Sequence, residues 1–212
     1  MSSRLLPPTD RYTSLSPFLA SWTVRDPTIR TDLTSTALLT LEGWWLIDPV
    51  PITDRVLDCL LGSQPLLGIL LTNENHERAA NQIAQKRTVP IHAHEATLGR
   101  LEVNPTYFFR DGDALKGNLH ILHIPGPSLG ESCFYDPQNQ VLVIGDALIN
   151  LKETNFTFLP DKYCHDPVQA KNGLKRLLNF EFNIIAFAHG PPLITNAKNQ
   201  FKVLLDTFLS KA

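Results

Sequence analysis

HIPGPSLGESCFYDPQNQVLVIGDAL, residues 123–148, carries the clearest indications of the fold. It contains two apolar runs separated by Asp136 to Asn139, whose turn-forming side chains predict a β-hairpin. Turn or polar residues follow the predicted strands here. Asp146 comes after the run VLVIG, and Pro127 comes after LHILHI, the run that precedes the hairpin. Because α/β proteins generally place ligands beyond strand ends, Asp146 is a candidate functional residue.

The same arrangement recurs after three other predicted strands. Asp48 follows the run WWLI, the polar group from Asn73 to Arg78 follows LLGILL, and His189 follows IIAFA. A polar residue after a strand is ordinary by itself, because chains turn there. Together with Asp146, however, these positions predict that several strand ends share one edge and line a site.

Helical spacing of apolar residues separates the predicted strands. Helices are predicted from Thr53 to Leu61, from about His76 to Lys86, from Pro167 onward with Asp166 as the cap, and from about Asn196 to Leu209. Helices and strands interleave in both halves of the chain, without a linker or a repeat. This order predicts an α/β or α+β fold with helices covering sheet, in a single domain that spans residues 1–212.

Composition and charge exclude several classes of protein. The chain has 212 residues and a formal net charge of −2, and it contains no basic run, so we expect neither nucleic acid nor an anionic membrane as a partner. The N-terminus lacks the long apolar core of a signal peptide, and no run is long enough to span a membrane. Cys59, Cys133 and Cys164 show no CxxC spacing, so we expect no disulfide framework and a cytoplasmic location.

These segments, taken together and in order, resemble the metallo-β-lactamase superfamily along nearly the whole chain. WWLIDPVP is similar to the first motif of that family, a strand ending in an aspartate, and LLTNENHER lies where its Thr-His-x-His-x-Asp-His motif belongs. The stretch 123–148 resembles its Pro-Gly-His loop, hairpin and Gly-Asp-Ala segment, and LKRLLNFEFNIIAFAHGPP resembles its closing helix, strand and His-Gly. The resemblance implies a four-layer αβ/βα sandwich and a hydrolase in which metal-activated water attacks an ester, thioester, amide or phosphoester.

The resemblance also implies metal ligands, most of which are replaced in this chain. Without a gap, the family's first two histidines fall on Asn73 and Asn75, and the histidine of its Pro-Gly-His loop falls on Pro127. Imidazole, thiolate and carboxylate are the ligands zinc prefers, whereas a carboxamide is a weak ligand and proline has no side chain that coordinates. The first metal position therefore retains none of its three histidines, and we do not expect a dinuclear zinc site.

At the second metal position only two residues match the family pattern. Asp146 and His189 stand where the family has its late aspartate and its last histidine, whereas Glu77 and Arg78 replace its Asp-His pair. We predict that the guanidinium of Arg78 takes the place of the metal and pairs with Asp146, with Glu77 as a further partner, because a buried carboxylate needs a counter-ion. A divalent ion beside Arg78 would be strongly repelled.

This interpretation predicts a metal-free descendant of the family that uses no cofactor. Its cleft would bind a small molecule, and the charge of Arg78 favours an anionic one. In a related version the protein is an enzyme without metal chemistry, in which His76 or His189 acts as a general base.

An alternative register keeps a metal ion. If the loop is two residues shorter than in the family, Asn75 and His76 take the place of the Asp-His pair. His76, Asp146 and His189 then offer three ligands and an open position to one zinc, manganese or iron ion, enough for a mononuclear hydrolase. The position of Ala80 is an argument against the shorter loop. In the alignment without a gap, Ala80 falls where the family has a small residue for close helix packing. The sequence leaves both registers open.

The remaining histidines are expected outside the site. His92 and His94 alternate on a predicted strand, and a surface or packing role is expected for both. His120 and His123 lie on another predicted strand and point to different faces of the sheet, so we expect one exposed ring and one hydrogen-bonded ring. His165, just before a helix, is expected in a loop.

Overall fold

Two β-sheets form the centre of the computed structural model, which describes residues 6–209. The seven strands of the first sheet are β1 (Thr13–Ser16), β2 (Leu19–Asp26), β3 (Thr31–Thr40), β4 (Gly43–Ile47), β5 (Leu66–Leu70), β6 (Ile91–His94) and β7 (Tyr107–Phe109). The remaining strands are β8 (Ala114–Leu115), β9 (Leu119–His123), β10 (Ser132–Asp136), β11 (Val141–Ile144), β12 (Leu148–Leu151), β13 (Asn155–Phe158) and β14 (Ile184–Phe187). Of these, β12 and β13 pair as a separate hairpin, and the other five form the second sheet. Residues 1–5 lie outside the described residues; they belong to the N-terminal segment in which we expect no signal peptide.

Between residues 6 and 209, four α-helices accompany the sheets. They are α1 (Asp54–Leu61), α2 (Ala80–Arg87), α3 (Pro167–Leu174) and α4 (Ala197–Leu209), with short 3-10 turns at Glu95–Thr97, Asp161–Tyr163 and Lys175–Asn179. The predicted cap of α3 is confirmed, because the Asp166 side chain accepts a hydrogen bond from the backbone N–H of Gln169 at 2.8 Å. Within residues 6–209, no helix has the length and apolar character needed to cross a membrane.

The second helix starts later than the sequence predicts. The spacing of alanines predicts a start at about His76, but α2 begins at Ala80. Arg78 has φ 41°, a left-handed conformation that an α-helix cannot contain, and the backbone N–H of Ala79 donates to Pro49 O at 2.8 Å. The residues before α2 therefore form a loop over the end of β4, and this loop carries His76.

Strand directions bring the predicted site residues to one edge. In the first sheet β4 and β5 are parallel neighbours, so the loops that follow them leave on the same side. In the second sheet β11 and β14 are also parallel neighbours, which places Asp146 beside His189. A hydrogen bond from the backbone N–H of Thr34 on β3 to Ala188 O, at 2.9 Å, joins the two sheets at this edge.

Alternation along each strand divides the core into layers. In β4, Trp44 packs with α1 and α2, whereas Trp45 faces the second sheet. In β10, Phe134 faces the first sheet, whereas Tyr135 packs in the cluster that holds α3 and α4. The resulting order of helices, sheet, sheet and helices confirms the predicted α/β class and its four-layer αβ/βα sandwich.

Candidate functional site

Three side chains converge at the edge where strands of both sheets end. Asp146 follows β11, His189 follows β14, and His76 lies in the loop after β5. Nε2 of His76 lies 3.3 Å from Oδ1 of Asp146, and Nε2 of His189 lies 3.2 Å from the same oxygen. Ligand atoms of all three residues lie within 4.8 Å of one another. The structure thus brings together the three residues named by the alternative register.

Asp48 organises the loop that carries His76. Its Oδ1 accepts a hydrogen bond from the backbone N–H of Thr72 at 2.8 Å, and its Oδ2 accepts one from the Thr72 hydroxyl at 2.6 Å. Nδ1 of His76 lies 2.8 Å from the same Oδ2. Asp48 is buried and has φ 48°, a conformation that aspartate tolerates better than most residues. The carboxylate at the end of β4 therefore fixes both the loop and the imidazole.

Each of the two histidines has an acceptor next to its Nδ1 atom. For His76 this acceptor is the Asp48 carboxylate, and for His189 it is the carbonyl oxygen of Asp32 at 3.2 Å. An Nδ1–H that donates to such an acceptor leaves Nε2 as the atom with a free lone pair in the neutral ring. In both residues Nε2 is also the atom directed at Asp146. Histidines that bind metals are commonly held in this way.

Charge is closely balanced around His76. Burial lowers the pKa of His76, but the carboxylates of Asp146 and Asp48 outweigh burial and raise that pKa to about 9. Burial also acts to raise the pKa of Asp146, yet the charge of His76 and hydrogen bonds from both histidines bring it well below its usual range. The two carboxylates on either side of His76 therefore favour the imidazolium form of its ring.

Arg78 lies beside the cluster and binds backbone oxygens. Its Nη1 donates to Thr34 O at 2.7 Å and to Asp48 O at 3.0 Å, and its Nη2 donates to Ala188 O at 3.3 Å. The predicted ion pair between Arg78 and Asp146 is therefore not formed. Carbonyl oxygens of β3 and of the residues that follow β4 and β14 hold the guanidinium, and His76 is the cation that pairs with Asp146.

Glu77 also departs from its predicted role at the site. Its Oε1 accepts from the backbone N–H of Glu102 at 2.8 Å, and its Oε2 accepts from that of Val103 at 2.6 Å. Because both oxygens bond to the segment after the Glu95–Thr97 turn, Glu77 anchors that segment and takes no part in the cluster of His76, Asp146 and His189.

Asn73 joins Asp146 to a buried acid that the sequence analysis missed. The side-chain nitrogen of Asn73 donates to Oδ2 of Asp146 at 3.0 Å and to Oε2 of Glu131 at 2.8 Å. Glu131 is fully buried, and burial together with the charge of Asp146 raises its pKa to about 8. An isolated acid in the small and apolar segment LGESCFY was the signal that could have identified it.

The two other replaced positions of the first metal site take up protein contacts. Nδ2 of Asn75 donates to the hydroxyl of Ser128 at 3.2 Å. The carbonyl oxygen of Pro127 accepts from the backbone N–H of His165 at 3.0 Å. Asn75 is exposed at the rim, whereas Pro127 is buried. These residues close the position by contacts between loops.

A cavity of about 360 Å³ opens over the cluster. Its polar wall contains Asp26, Asn75, His76, Arg78, Asp146 and His189, and its apolar wall contains Leu6, Ile29, Leu33, Val50 and Pro51. The tip of the β2–β3 hairpin of the first sheet supplies Asp26 and Ile29, and the ends of β11 and β14 of the second sheet supply Asp146 and His189, so both sheets contribute to the cavity. The space is sufficient for a small organic molecule.

The donor set of the cluster fits a divalent ion. Two imidazole nitrogens and one carboxylate oxygen form three-ligand catalytic zinc sites and also suit iron(II). In a tetrahedral zinc site with bonds of about 2.0 Å, neighbouring ligand atoms are about 3.3 Å apart. Two of the three separations, 3.3 and 3.2 Å from Asp146 Oδ1 to the two Nε2 atoms, are close to that value, and all three ligand atoms lie within 4.8 Å of one another.

The remaining histidines lie outside this cluster. His92 packs against Trp45 with ring centroids 5.2 Å apart, and His94 stacks on His123 at 4.2 Å, which confirms the expected packing role. His123 is hydrogen-bonded as predicted, through Nδ1 to Glu131 O at 2.9 Å. His120 is half-buried rather than exposed, because it packs beside a neighbouring tyrosine ring. His165 is exposed in a loop, as expected.

The sequence matches a family model. Residues 13–208 match the family described as Metallo-beta-lactamase superfamily. Among curated proteins, none matches the chain at a significant level of sequence similarity.

Solved structures show the same architecture. A metallo-beta-lactamase family protein from Thermus thermophilus is 19% identical, with a TM-score of 0.68 over 93% of this chain and 81% of that one. A metallo-beta-lactamase from Pontibacter korlensis is 17% identical, with a TM-score of 0.70 over 92% and 98%. A beta-lactamase domain protein from Burkholderia ambifaria is 17% identical, with a TM-score of 0.68 over 98% and 80%. At these identities the likeness establishes the fold alone.

Proposed function

The chain belongs to the metallo-β-lactamase superfamily, and from this we propose that it is a hydrolase that uses one divalent metal ion held by His76, Asp146 and His189. The bond cleaved would be that of an ester, thioester, amide or phosphoester in a small molecule. We also propose that residues 1–212 form one domain, since the described parts of both sheets share a core.

One observation carries the proposal. The Nε2 atoms of His76 and His189 converge on Oδ1 of Asp146 at 3.3 and 3.2 Å, while an acceptor lies next to each Nδ1. A structural salt bridge needs only one histidine beside the aspartate. Two histidines that both direct Nε2 at the same carboxylate oxygen, in the wall of a cavity, suit a three-ligand metal site.

Only one ion is proposed, because the first metal position has no suitable donors. Asn73 and Asn75 provide carboxamides that are occupied by hydrogen bonds, and Pro127 provides no donor. None of these three residues offers the imidazole, thiolate or carboxylate that zinc prefers.

The residues around the cluster have further roles in the proposed reaction: they orient a ligand, exclude water and attract the substrate. When bound, a divalent ion supplies Lewis acidity that polarises a carbonyl or phosphoryl oxygen and promotes the ionisation of water. Asp48 holds the His76 ring in its orientation, and Leu33 and Val50 offer an apolar surface that excludes water beside the substrate. Arg78 contributes positive charge at the cavity wall, which favours substrates that carry negative charge.

Metal content and hydrolysis by the same protein sample test this function. Untagged protein loaded with zinc, manganese or iron(II) is expected to hold about one ion per chain, lost in H76A and H189A and kept in the control H120A. Chelator should abolish hydrolysis of a panel of chromogenic esters, thioesters and phosphoesters, and one ion should restore it. Protein that holds no metal after loading, or that hydrolyses equally well with chelator, would contradict the proposal.

A second candidate, a metal-free binding protein, is favoured by the position of the His76 ring. Each ring nitrogen of His76 lies beside a carboxylate, Asp48 at 2.8 Å and Asp146 at 3.3 Å. The cationic ring thereby satisfies both acids without an ion. In this case, citrate, acetate or inorganic phosphate should raise the melting temperature through binding near Arg78, and zinc should not. Stabilisation by zinc alone would rule it out.

A further inference from the structure

Glu131 is a buried acid for which the proposed reaction has no direct use. It is fully buried, so it cannot touch a substrate in the cavity. Its Oε1 accepts from the backbone N–H of Ala147 at 2.9 Å, and its Oε2 accepts from the Asn73 side chain at 2.8 Å. A buried carboxyl group is costly unless it is hydrogen-bonded, and both oxygens of Glu131 have such a partner.

The amide of Asn73 is fully engaged, and its partners determine its orientation. Nδ2 donates one bond to Glu131 and one to Oδ2 of Asp146 at 3.0 Å, while Oδ1 accepts from the backbone N–H of Asn75 at 2.8 Å. A flipped amide would place its oxygen against two carboxyl oxygens and lose the bond from Asn75. Both N–H bonds of one rigid group therefore fix the distance between Glu131 and Asp146.

The two oxygens of Asp146 have different partners because of the hydrogen bond from Asn73. Oδ2 is bonded to Asn73, whereas Oδ1 faces the Nε2 atoms of His76 and His189. We propose that Asn73 and Glu131 are positioning residues that hold Asp146 by Oδ2, so that it offers Oδ1 alone as a ligand between the two histidines. The part of this inference that concerns metal ligation rests on the proposed function; the part that concerns the orientation of Asp146 does not.

The carboxyl group of Glu131 packs closely against the backbone of Gly145. A Cβ atom on Gly145 would lie 2.7 Å from Oε1 of Glu131 and 2.7 Å from the Thr72 hydroxyl, so only glycine fits there. The backbone N–H of Ser132 donates to Thr72 O at 2.8 Å and joins the segment after Glu131 to the loop of the cluster. The carboxyl group therefore sits where three chain segments meet, close to Asp146.

Cobalt and zinc binding test the positioning role. We expect N73A to release Oδ2, so that Asp146 can bind through both oxygens or rotate; the visible spectrum of bound Co²⁺ should then change in intensity and position. Zinc affinity should fall about ten- to hundredfold in N73A, and about tenfold in E131Q, in which one N–H of the new amide faces another donor. N139A is the matched control, since Asn139 donates to Asp136 at 2.7 Å in a hairpin turn away from the cluster.

Measurements on metal-free protein separate this inference from the proposed function. All of these proteins are compared without metal. Relative to wild type, the carboxyl ¹³C resonance of Asp146 should shift in N73A and E131Q and stay unchanged in N139A. If the wild type binds no ion but these shifts occur, the hydrolase proposal fails and the positioning of Asp146 stands. If N73A and E131Q keep the wild-type resonance, or bind Co²⁺ with the wild-type spectrum and affinity, the inference is overturned. Should N73A not fold, E131Q supplies the same tests.

Discussion

Nδ1 of His76 lies 2.8 Å from Oδ2 of Asp48, a carboxylate that also accepts two hydrogen bonds from Thr72. Asp48 directly follows β4, whereas His76 and Thr72 belong to the loop after β5. The orientation of His76 is thus set by the end of a neighbouring strand. A short loop of polar residues would be too mobile to hold an imidazole in this position by itself.

Replacing Asp48 by asparagine should weaken metal binding at His76. D48N removes the negative charge that favours an Nδ1–H on this ring, so we expect zinc affinity to fall about ten- to hundredfold. Competition with a chromogenic chelator measures the affinity. The control is D136N, which alters another buried aspartate at the β10–β11 turn and should leave zinc affinity unchanged. Wild-type affinity in D48N would contradict the role of Asp48.

Replacing Arg78 by lysine should destabilise the fold although the charge is kept. The guanidinium bonds to three carbonyl oxygens from different chain segments, and an ammonium group, which is a single nitrogen on a flexible four-carbon stem, cannot reproduce this fork. We expect R78K to lower the free energy of unfolding by about 2–3 kcal/mol, the loss of one or two bonds to a charged donor. Urea unfolding in chelator measures it. R25K, at an exposed ion pair, should change stability little.

The stability of the fold should decrease in acid partly because of His92. Burial lowers the pKa of His92 to about 4, from 6.5 in an unstructured chain. Between these values the unfolded chain binds a proton that the folded protein does not, so stability is lost as pH falls through this window. The loss of unfolding free energy from about pH 7 to pH 5 should be smaller in H92F than in wild type. H165Q, at an exposed loop, should follow the wild type.

Gly145 should not tolerate a methyl group. G145A places a Cβ atom 2.7 Å from Oε1 of Glu131 and from the hydroxyl of Thr72, so we expect a loss of about 1–3 kcal/mol in unfolding free energy. The same substitution at Gly173, in α3, meets no atom closer than 3.5 Å and should be neutral or stabilising, because alanine favours the helix. Equal stability of G145A and G173A would show that Glu131 can move away.

The positions of the ligand-bearing strand ends could be predicted from the sequence. Asp146 and His189 follow short, fully apolar runs, and such runs are strands buried on both faces whose ends meet at one edge. The cap of α3 was predictable because Asp166 before Pro167 is a local signal that depends on adjacent residues alone.

The partners of Arg78 and Glu131 could not be predicted. Arg78 binds the carbonyl of Ala188, which is 110 residues away in the chain, and backbone oxygens have no residue type for a pattern to detect. Glu131 stands alone as an acid in the small and apolar segment LGESCFY, which indicates burial, but its bonds to Asn73 and Ala147 depend on the loop geometry around it. The prediction that Arg78 pairs with Asp146 identified the need for a counter-ion but chose the wrong cation, because His76 is closer and can bond to two acids.

The candidate ligands are divided between the two sheets, since His76 follows β5 of the first and Asp146 and His189 follow β11 and β14 of the second. A chain in which the sheets have not yet docked therefore has no complete binding site. An ion bound by all three residues would stabilise only the final, docked state, and so it would slow unfolding far more than it would speed folding. Resistance to unfolding, measured with and without zinc, would then report on the docking of the two sheets rather than on the formation of either one.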